Sequence, residues 1–162
     1  MCDGRKMMPI YMKYEGILGE ITKEPYKGWI ELQSAQIGTH GRPAPSPGNG
    51  MSVSEIVVTK TTDSSSPQLF KESLFGEAKK VIIDFVKIDG GRAYLRLELQ
   101  GTLISSFSGG SGAGGDRPQL ESLALNFTKI TYSLQGPVSS QQEAAGSTEW
   151  RAATTRQNAR AQ

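Results

Sequence analysis

The sequence predicts a mainly β protein built as one domain. Three observations carry this. Apolar residues recur at period two through most patterned segments, 19 glycines stand against only 21% charged residues, and a single segment combines helical spacing with capping residues. At 162 residues the chain fits one domain and leaves little room for separate cofactor and substrate modules. Hydrophobic residues make up 36%, enough for a core but not a generous one.

Residues 1–7, Met1-Cys2-Asp3-Gly4-Arg5-Lys6-Met7, form a polar extension, and the patterned chain starts at Met8. Ile10, Met12 and Tyr14 share one parity against Tyr11 and Lys13, giving a first strand that Gly16 and Gly19 punctuate. After a turn-like stretch, residues 29–37 set Ile30 and Leu32 against Glu31 and Gln33 as a second strand. The pattern stops over residues 38–51, where Gly38, Gly41, Pro43, Pro45, Pro47, Gly48 and Gly50 remove helical propensity or ladder donors. This reads as a long exposed loop, and such a loop in a compact domain calls for a functional reason. Alternation returns over residues 54–62, with Ile56 and Val58 opposed to Val57 and Thr59.

Residues 66–75 are the one helix of the body. Ser66 reads as its N-cap, Pro67 as its first helical position and Gly76 as a left-handed C-cap, while Phe70 and Leu74 share a face. A helix this short is marginal alone, so that face needs a sheet or barrel end beneath it.

Residues 79–88 are apolar on both parities, Val81, Ile83 and Phe85 on one and Ile82, Val86 and Ile88 on the other. Such a strand is covered on both sides, by its own core and by a helix or a neighbouring subunit. Asp89-Gly90-Gly91 supplies hairpin-turn chemistry. Ala93, Leu95, Leu97 and Leu99 then alternate with Tyr94, Arg96, Glu98 and Gln100; Leu103 keeps the inward parity, and Gly101 marks a bend or bulge. A Gly- and Ser-rich connection follows to Pro118. Leu123, Leu125 and Phe127 form the next inward row, whereas Ile130, Tyr132 and Leu134 have the opposite parity, which implies a bulge near Thr128 where a strand turns a corner. The organisation is therefore an extension (1–7), a β domain (8–136) and a polar tail (137–162), partly ordered at most, which is either disordered or carries one weak strand or helix anchored by Trp150.

The residues offer little for catalysis. Cys2 is the single cysteine and His40 the single histidine, which excludes an internal disulfide and multi-thiolate or multi-histidine metal centres. Gly110-Ser111-Gly112-Ala113-Gly114-Gly115 satisfies G-x-G-x-x-G, but a strand rather than a helix follows, so it reads as a linker. Asp63-Ser64-Ser65-Ser66 reads as helix capping, because no imidazole is placed to activate a serine. Glu15, Glu20 and Glu98 make no general acid/base spacing, and Asp84, inside an apolar strand, reads as a polar interface residue or the partner of a cation. A net charge of +2, with basic residues spread and not interleaved with aromatics, points to neither nucleic acid nor an anionic lipid surface. With no apolar stretch near about 18 residues and no signal-peptide centre, the expectation is a soluble cytoplasmic chain, exported, if at all, by another machine.

Several segments, in order, resemble the haemolysin-coregulated protein (Hcp) family, the tube subunits of bacterial type VI secretion. They are Met8-Pro9-Ile10-Tyr11-Met12-Lys13-Tyr14-Glu15-Gly16 with Gly19-Glu20; Gly28-Trp29-Ile30-Glu31-Leu32; Ser54-Glu55-Ile56-Val57-Val58-Thr59-Lys60; Ser65-Ser66-Pro67 with Leu69-Phe70; residues 81–86; Thr102-Leu103-Ile104-Ser105; and Gly115-Asp116-Arg117-Pro118 leading to Leu125-Asn126-Phe127. The resemblance implies a small β-barrel of two packed antiparallel sheets with one short α-helix on its side. It implies a non-enzymatic subunit without cofactor or metal, six copies closing into a ring, and rings stacking into a tube. That tube would sit inside a contractile sheath behind a tip spike, carry effectors in its lumen, and leave the cell without a signal peptide.

The stretch at 38–51 resembles the family's extended loop, which reaches neighbouring subunits. It makes Gly38, Thr39, His40, Gly41, Arg42, Gly48, Asn49, Gly50 and Met51 the expected subunit or ring interface. Trp150-Arg151-Ala152-Ala153 departs from the family ending, which often has isoleucine after the tryptophan and a polar residue. The competing reading is a monomeric β-barrel that binds or hydrolyses a small ligand in its interior.

Overall fold

The computed structural model describes residues 8–41, 51–87, 92–110, 119–134 and 147–151. In chain order these form β1 (Ile10–Tyr14), β2 (Ile30–Leu32), β3 (Ser34–Gly41), β4 (Met51–Thr61), α1 (Ser66–Phe75), β5 (Lys79–Val86), β6 (Ala93–Gly110), β7 (Leu120–Asn126), β8 (Lys129–Leu134) and β9 (Ser147–Arg151). The Asp89-Gly90-Gly91 turn, the Gly-rich linker at 111–118, the 1–7 extension and most of the 137–162 tail lie outside the described residues.

Two antiparallel sheets share β6. Its first half pairs with β5 and β8, and its second half with β7. The first sheet continues from β5 to β1 and β2 and from β8 to β9; the second continues from β7 to β4 and β3. The hydrogen-bonded order β2-β1-β5-β6-β7-β4-β3 leaves β2 and β3 at opposite ends. Gln33 joins those two ends in sequence and donates its N–H to the Thr59 carbonyl at 2.6 Å. The mainly β class, with two packed antiparallel sheets and one helix, is as the sequence indicates, but the ladder is open rather than a closed barrel. The single strand expected over residues 29–37 is split for the same reason: β2 pairs with β1, and β3, one residue later, pairs with β4 in the other sheet.

Between the sheets lie Met12, Ile30, Ile56, Val58, Val81, Ile83, Leu97, Leu99, Leu123 and Leu125, all buried. Each such side chain contributes about 1.5–3 kcal/mol on leaving water. The alternation in β1, β2, β4 and the first half of β6 is read correctly from sequence. Beyond Gly101 it is not: Thr102 and Ile104 are buried while Leu103 is exposed. Gly101 adopts φ +64°, and this left-handed residue reverses the facing of Thr102 to Ile104, until a second register shift between Ile104 and Ser106 returns Phe107 to the core side. At Thr128 the chain turns between two separate strands, β7 in one sheet and β8 in the other, rather than through a bulge in one strand. Ile130 is buried there, but Tyr132 and Leu134, expected inward, are exposed.

The helix has its expected bounds and unexpected contacts. Ser65, not Ser66, is the N-cap, and its side chain makes no capping bond. The Asp63 carboxylate accepts the Ser65 N–H at 2.8 Å instead. Gly76 is extended (φ −67°, ψ 148°) rather than left-handed, and glycine is required because a Cβ would run into the Glu72 carbonyl. Leu69 is the residue that anchors the helix; Phe70 and Leu74 face outward, 51% and 58% exposed. Phe70 keeps an edge contact with Phe107, ring centres 5.5 Å apart.

Candidate interaction surfaces

The loop expected over 38–51 is shorter than its composition implies. β3 runs to Gly41 and β4 begins at Met51, with Thr39 opposite Val53, His40 opposite Ser52 and Gly41 opposite Met51. Cross-strand hydrogen bonds satisfy this backbone, so glycines and a lost apolar pattern do not end the strands. β7 pairs with β4 only from Ile56 to Thr61. The ladder beyond therefore projects past the second sheet as a two-stranded arm, leaving at a register shift between Ile37 and Thr39. Of the expected interface residues, Gly38, Thr39, His40, Gly41 and Met51 lie on this arm; Arg42, Gly48, Asn49 and Gly50 fall outside the described residues. A hairpin paired by itself at the end of a sheet presents backbone groups to a neighbour.

At the end of the β4–β7 ladder opposite the arm, the two strands turn opposite charges inward. Lys60 follows the parity of Ile56 and Val58 and is wholly buried. Its ammonium reaches the Thr61 carbonyl (2.9 Å), Asp63 Oδ1, Ser66 Oγ and Glu121 Oε2 (each 3.0 Å). Ser66 Oγ donates to Glu121 Oε2 at 2.8 Å, Thr62 Oγ1 donates to Glu121 Oε1 at 3.0 Å, and the Ser65 hydroxyl bonds to Asp63. The cluster ties two strands to the helix start. Ser66 is buried and donates to Glu121 Oε2, so its hydroxyl ties the helix start to β7 instead of capping the helix as its sequence context implied. The missed members, Lys60 and Glu121, had a signal: each is a charge on an inward row of its strand.

A consequence appears on the outside of the second sheet. With Lys60 and Glu121 inward, two outward rows read Ser34, Thr59, Ser122 and Ser108, and Gln36, Val57, Ala124 and Ser106, all uncharged, with Glu55 the next outward residue of β4. The first sheet is the opposite. Lys80 pairs with Glu98 at 2.7 Å, and Glu149 pairs with Lys129 at 3.1 Å and Arg151 at 2.8 Å. Those two donors, Lys129 first, hold the Glu149 carboxyl below its usual range. Asp84 is paired with a cation, as one of its two sequence readings held: Arg96 Nε donates to Oδ1 and Nη2 to Oδ2, both at 2.7 Å, and the Tyr26 hydroxyl adds a bond to Oδ2 at 3.0 Å. These bonds raise the Arg96 pKa, and burial together with the Asp84 charge raises that of Tyr26. Tyr26 in turn packs on Tyr11 and meets Trp29 edge-on, at 4.8 and 4.9 Å, pinning the 15–29 segment across β1 and β5.

Among the described residues, no three His, Cys, Asp or Glu side chains converge as a metal set, and no helix is long and apolar enough to cross a membrane.

A family model described as "Type VI secretion system effector, Hcp" matches residues 11–133. Similar folds occur in a type VI secretion system effector from Yersinia pestis (19% identity, TM-score 0.72, covering 88% of this chain and 99% of that one). Hcp1 from Salmonella typhimurium is 22% identical with a TM-score of 0.74, over 90% and 95% of the two chains. The secreted protein Hcp3 from Pseudomonas aeruginosa is 17% identical with a TM-score of 0.67, over 88% and 99%. No curated protein sequence gives a significant match.

Proposed function

Because the chain belongs to the Hcp family of type VI secretion proteins, we propose that it is a structural subunit of the secretion tube, closing as a hexameric ring. Rings stack into a tube that carries effectors in its lumen, enclosed by a contractile sheath and led by a tip spike. The observation that carries this reading is the β3–β4 arm, which extends the ladder from Ile37 and Ile56 to Gly41 and Met51 beyond the support of β7. A projecting arm and a sheet face with few charges are unlike surfaces, and heterologous contacts between unlike surfaces close into rings or grow into polymers. Gly38, Thr39, His40, Gly41 and Met51 act at the subunit interface from the strands of the arm, with Arg42, Gly48, Asn49 and Gly50 in the stretch between them. The subunit turns over no substrate. It is made in the cytoplasm and leaves the cell as part of the tube.

Light scattering with negative-stain microscopy tests this. The expected species has six times the 17.5 kDa chain mass, with ring-shaped particles that stack on concentration. A 17.5 kDa species at every concentration would reject it.

A further inference from the structure

The segment pinned by Tyr26 forms one side of a half-open pocket of about 630 Å³, whose lining includes Lys13, Lys27, Lys80, Glu15, Leu18 and Trp29. Its charges are not equivalent. Lys80 is neutralised by Glu98 at 2.7 Å, while the bond Glu15 accepts from the neutral Lys80 backbone N–H at 2.9 Å does not cancel its charge, which leaves two lysines against one carboxylate. Lys13 and Lys27 form no ion pair with any described residue. Leu18 is 78% exposed, and lies beside Gly28, whose φ is +82°. One exposed leucine is ordinary. An exposed leucine and a tryptophan in a concave site with two ammonium groups that pair with no described residue make an apolar wall beside net positive charge, a makeup suited to a ligand site.

We propose that this pocket binds an acidic peptide segment. Carboxylates of the segment pair with Lys13 and Lys27, and a large apolar side chain between them packs on Leu18 and Trp29. The pocket is bigger than an inorganic anion needs, and its apolar wall would gain nothing from one. Being open to solvent on one side, it can receive part of an extended chain. The inference stands on the pocket alone and does not depend on ring assembly.

The test uses the full chain and a fluorescein-labelled peptide, Asp-Asp-Phe-Asp-Asp, read by fluorescence anisotropy. Saturable binding is expected, weakening at least about three-fold between about 50 and 300 mM salt. Replacing the aspartates with asparagine, or making Lys13→Glu with Lys27→Glu, should each weaken it about ten-fold or more. Both lysines are exposed, so the double variant should keep the wild-type circular dichroism; if it does not, Lys13→Gln with Lys27→Gln is used, with the same expectation. Absent saturation, equal binding of the asparagine peptide, or undiminished binding to a folded lysine variant would each overturn the proposal.

Discussion

Asp84, wholly buried on β5, lies directly opposite Arg96 on β6 and is gripped by two of its N–H groups at 2.7 Å each. The two partners differ in access to water, since the Arg96 side chain is 39% exposed. Removing Arg96 therefore strands a carboxylate that cannot rehydrate, whereas removing the Asp84 charge leaves a guanidinium that can. Arg96→Met should cost about 3–5 kcal/mol and Asp84→Asn about 1–2 kcal/mol in urea denaturation. The reverse order would show that the pair does not hold the two strands as described.

Lys60 poses the same question with no solvent on its side. Lys60→Met leaves Glu121 and Asp63 facing each other without their cation and should destabilise by about 3–5 kcal/mol. Adding Glu121→Gln should restore part of this, with a coupling of about 1–3 kcal/mol in a double-mutant cycle. Additive losses would mean that the short distances carry no interaction energy.

Gly101 and Thr128 meet at the corner between the sheets. A Cβ at residue 101 would strike the Thr128 side chain and would sit on a backbone at φ +64°. Gly101→Ala should lower stability by about 1–3 kcal/mol. Thr128→Ala in that background should relieve the clash but not the backbone strain. The thermal midpoints of the four proteins separate these terms, and full rescue by Thr128→Ala would leave no role for the left-handed backbone.

Stability should fall on the alkaline side. Burial, with the Glu72 charge second, pushes the Tyr14 hydroxyl up to about 12, and Tyr26 is raised by burial and by Asp84. An unfolded tyrosine titrates near 10. Above that pH the folded chain keeps protons that the unfolded chain has released, so this stability is complete below about pH 10, and the Tyr14 share disappears toward about pH 12, on the order of 2 kcal/mol. Denaturation midpoints from about pH 9 to 11.5 should decline, less steeply in Tyr14→Phe. An identical slope in that variant would refute the Tyr14 share.

The arm should be separable from the domain. Gly41 and Met51 face each other at the end of the ladder, so an Asn-Gly turn can join them directly. That variant should melt within about 3 °C of wild type but assemble into rings only at about ten-fold higher concentration or more. Unchanged assembly would remove Arg42, Gly48, Asn49 and Gly50 from the interface.

What the sequence determines here is what neighbouring residues decide together. Period two in β1, β4 and the first half of β6 identifies the inward rows, because alternate side chains of a strand must face opposite ways. Pro67 in the first turn and Gly76 mark the limits of α1, although neither the Ser66 cap nor the left-handed C-cap expected from sequence forms. The tertiary structure decides which strand lies opposite which, and so who partners a buried charge: Lys60 and Glu121 are 61 residues apart, a separation no local pattern spans. It divides residues 29–37 between two sheets at Gln33. It turns Leu103 outward, because one left-handed glycine reverses the facing until the register shift between Ile104 and Ser106 restores it. It leaves Phe70 and Leu74 in solvent, since the body of the fold seats the helix on Leu69. And it makes strands of Gly38 to Gly41, where composition indicates a loop, because a facing strand supplies the hydrogen bonds that these residues need from somewhere.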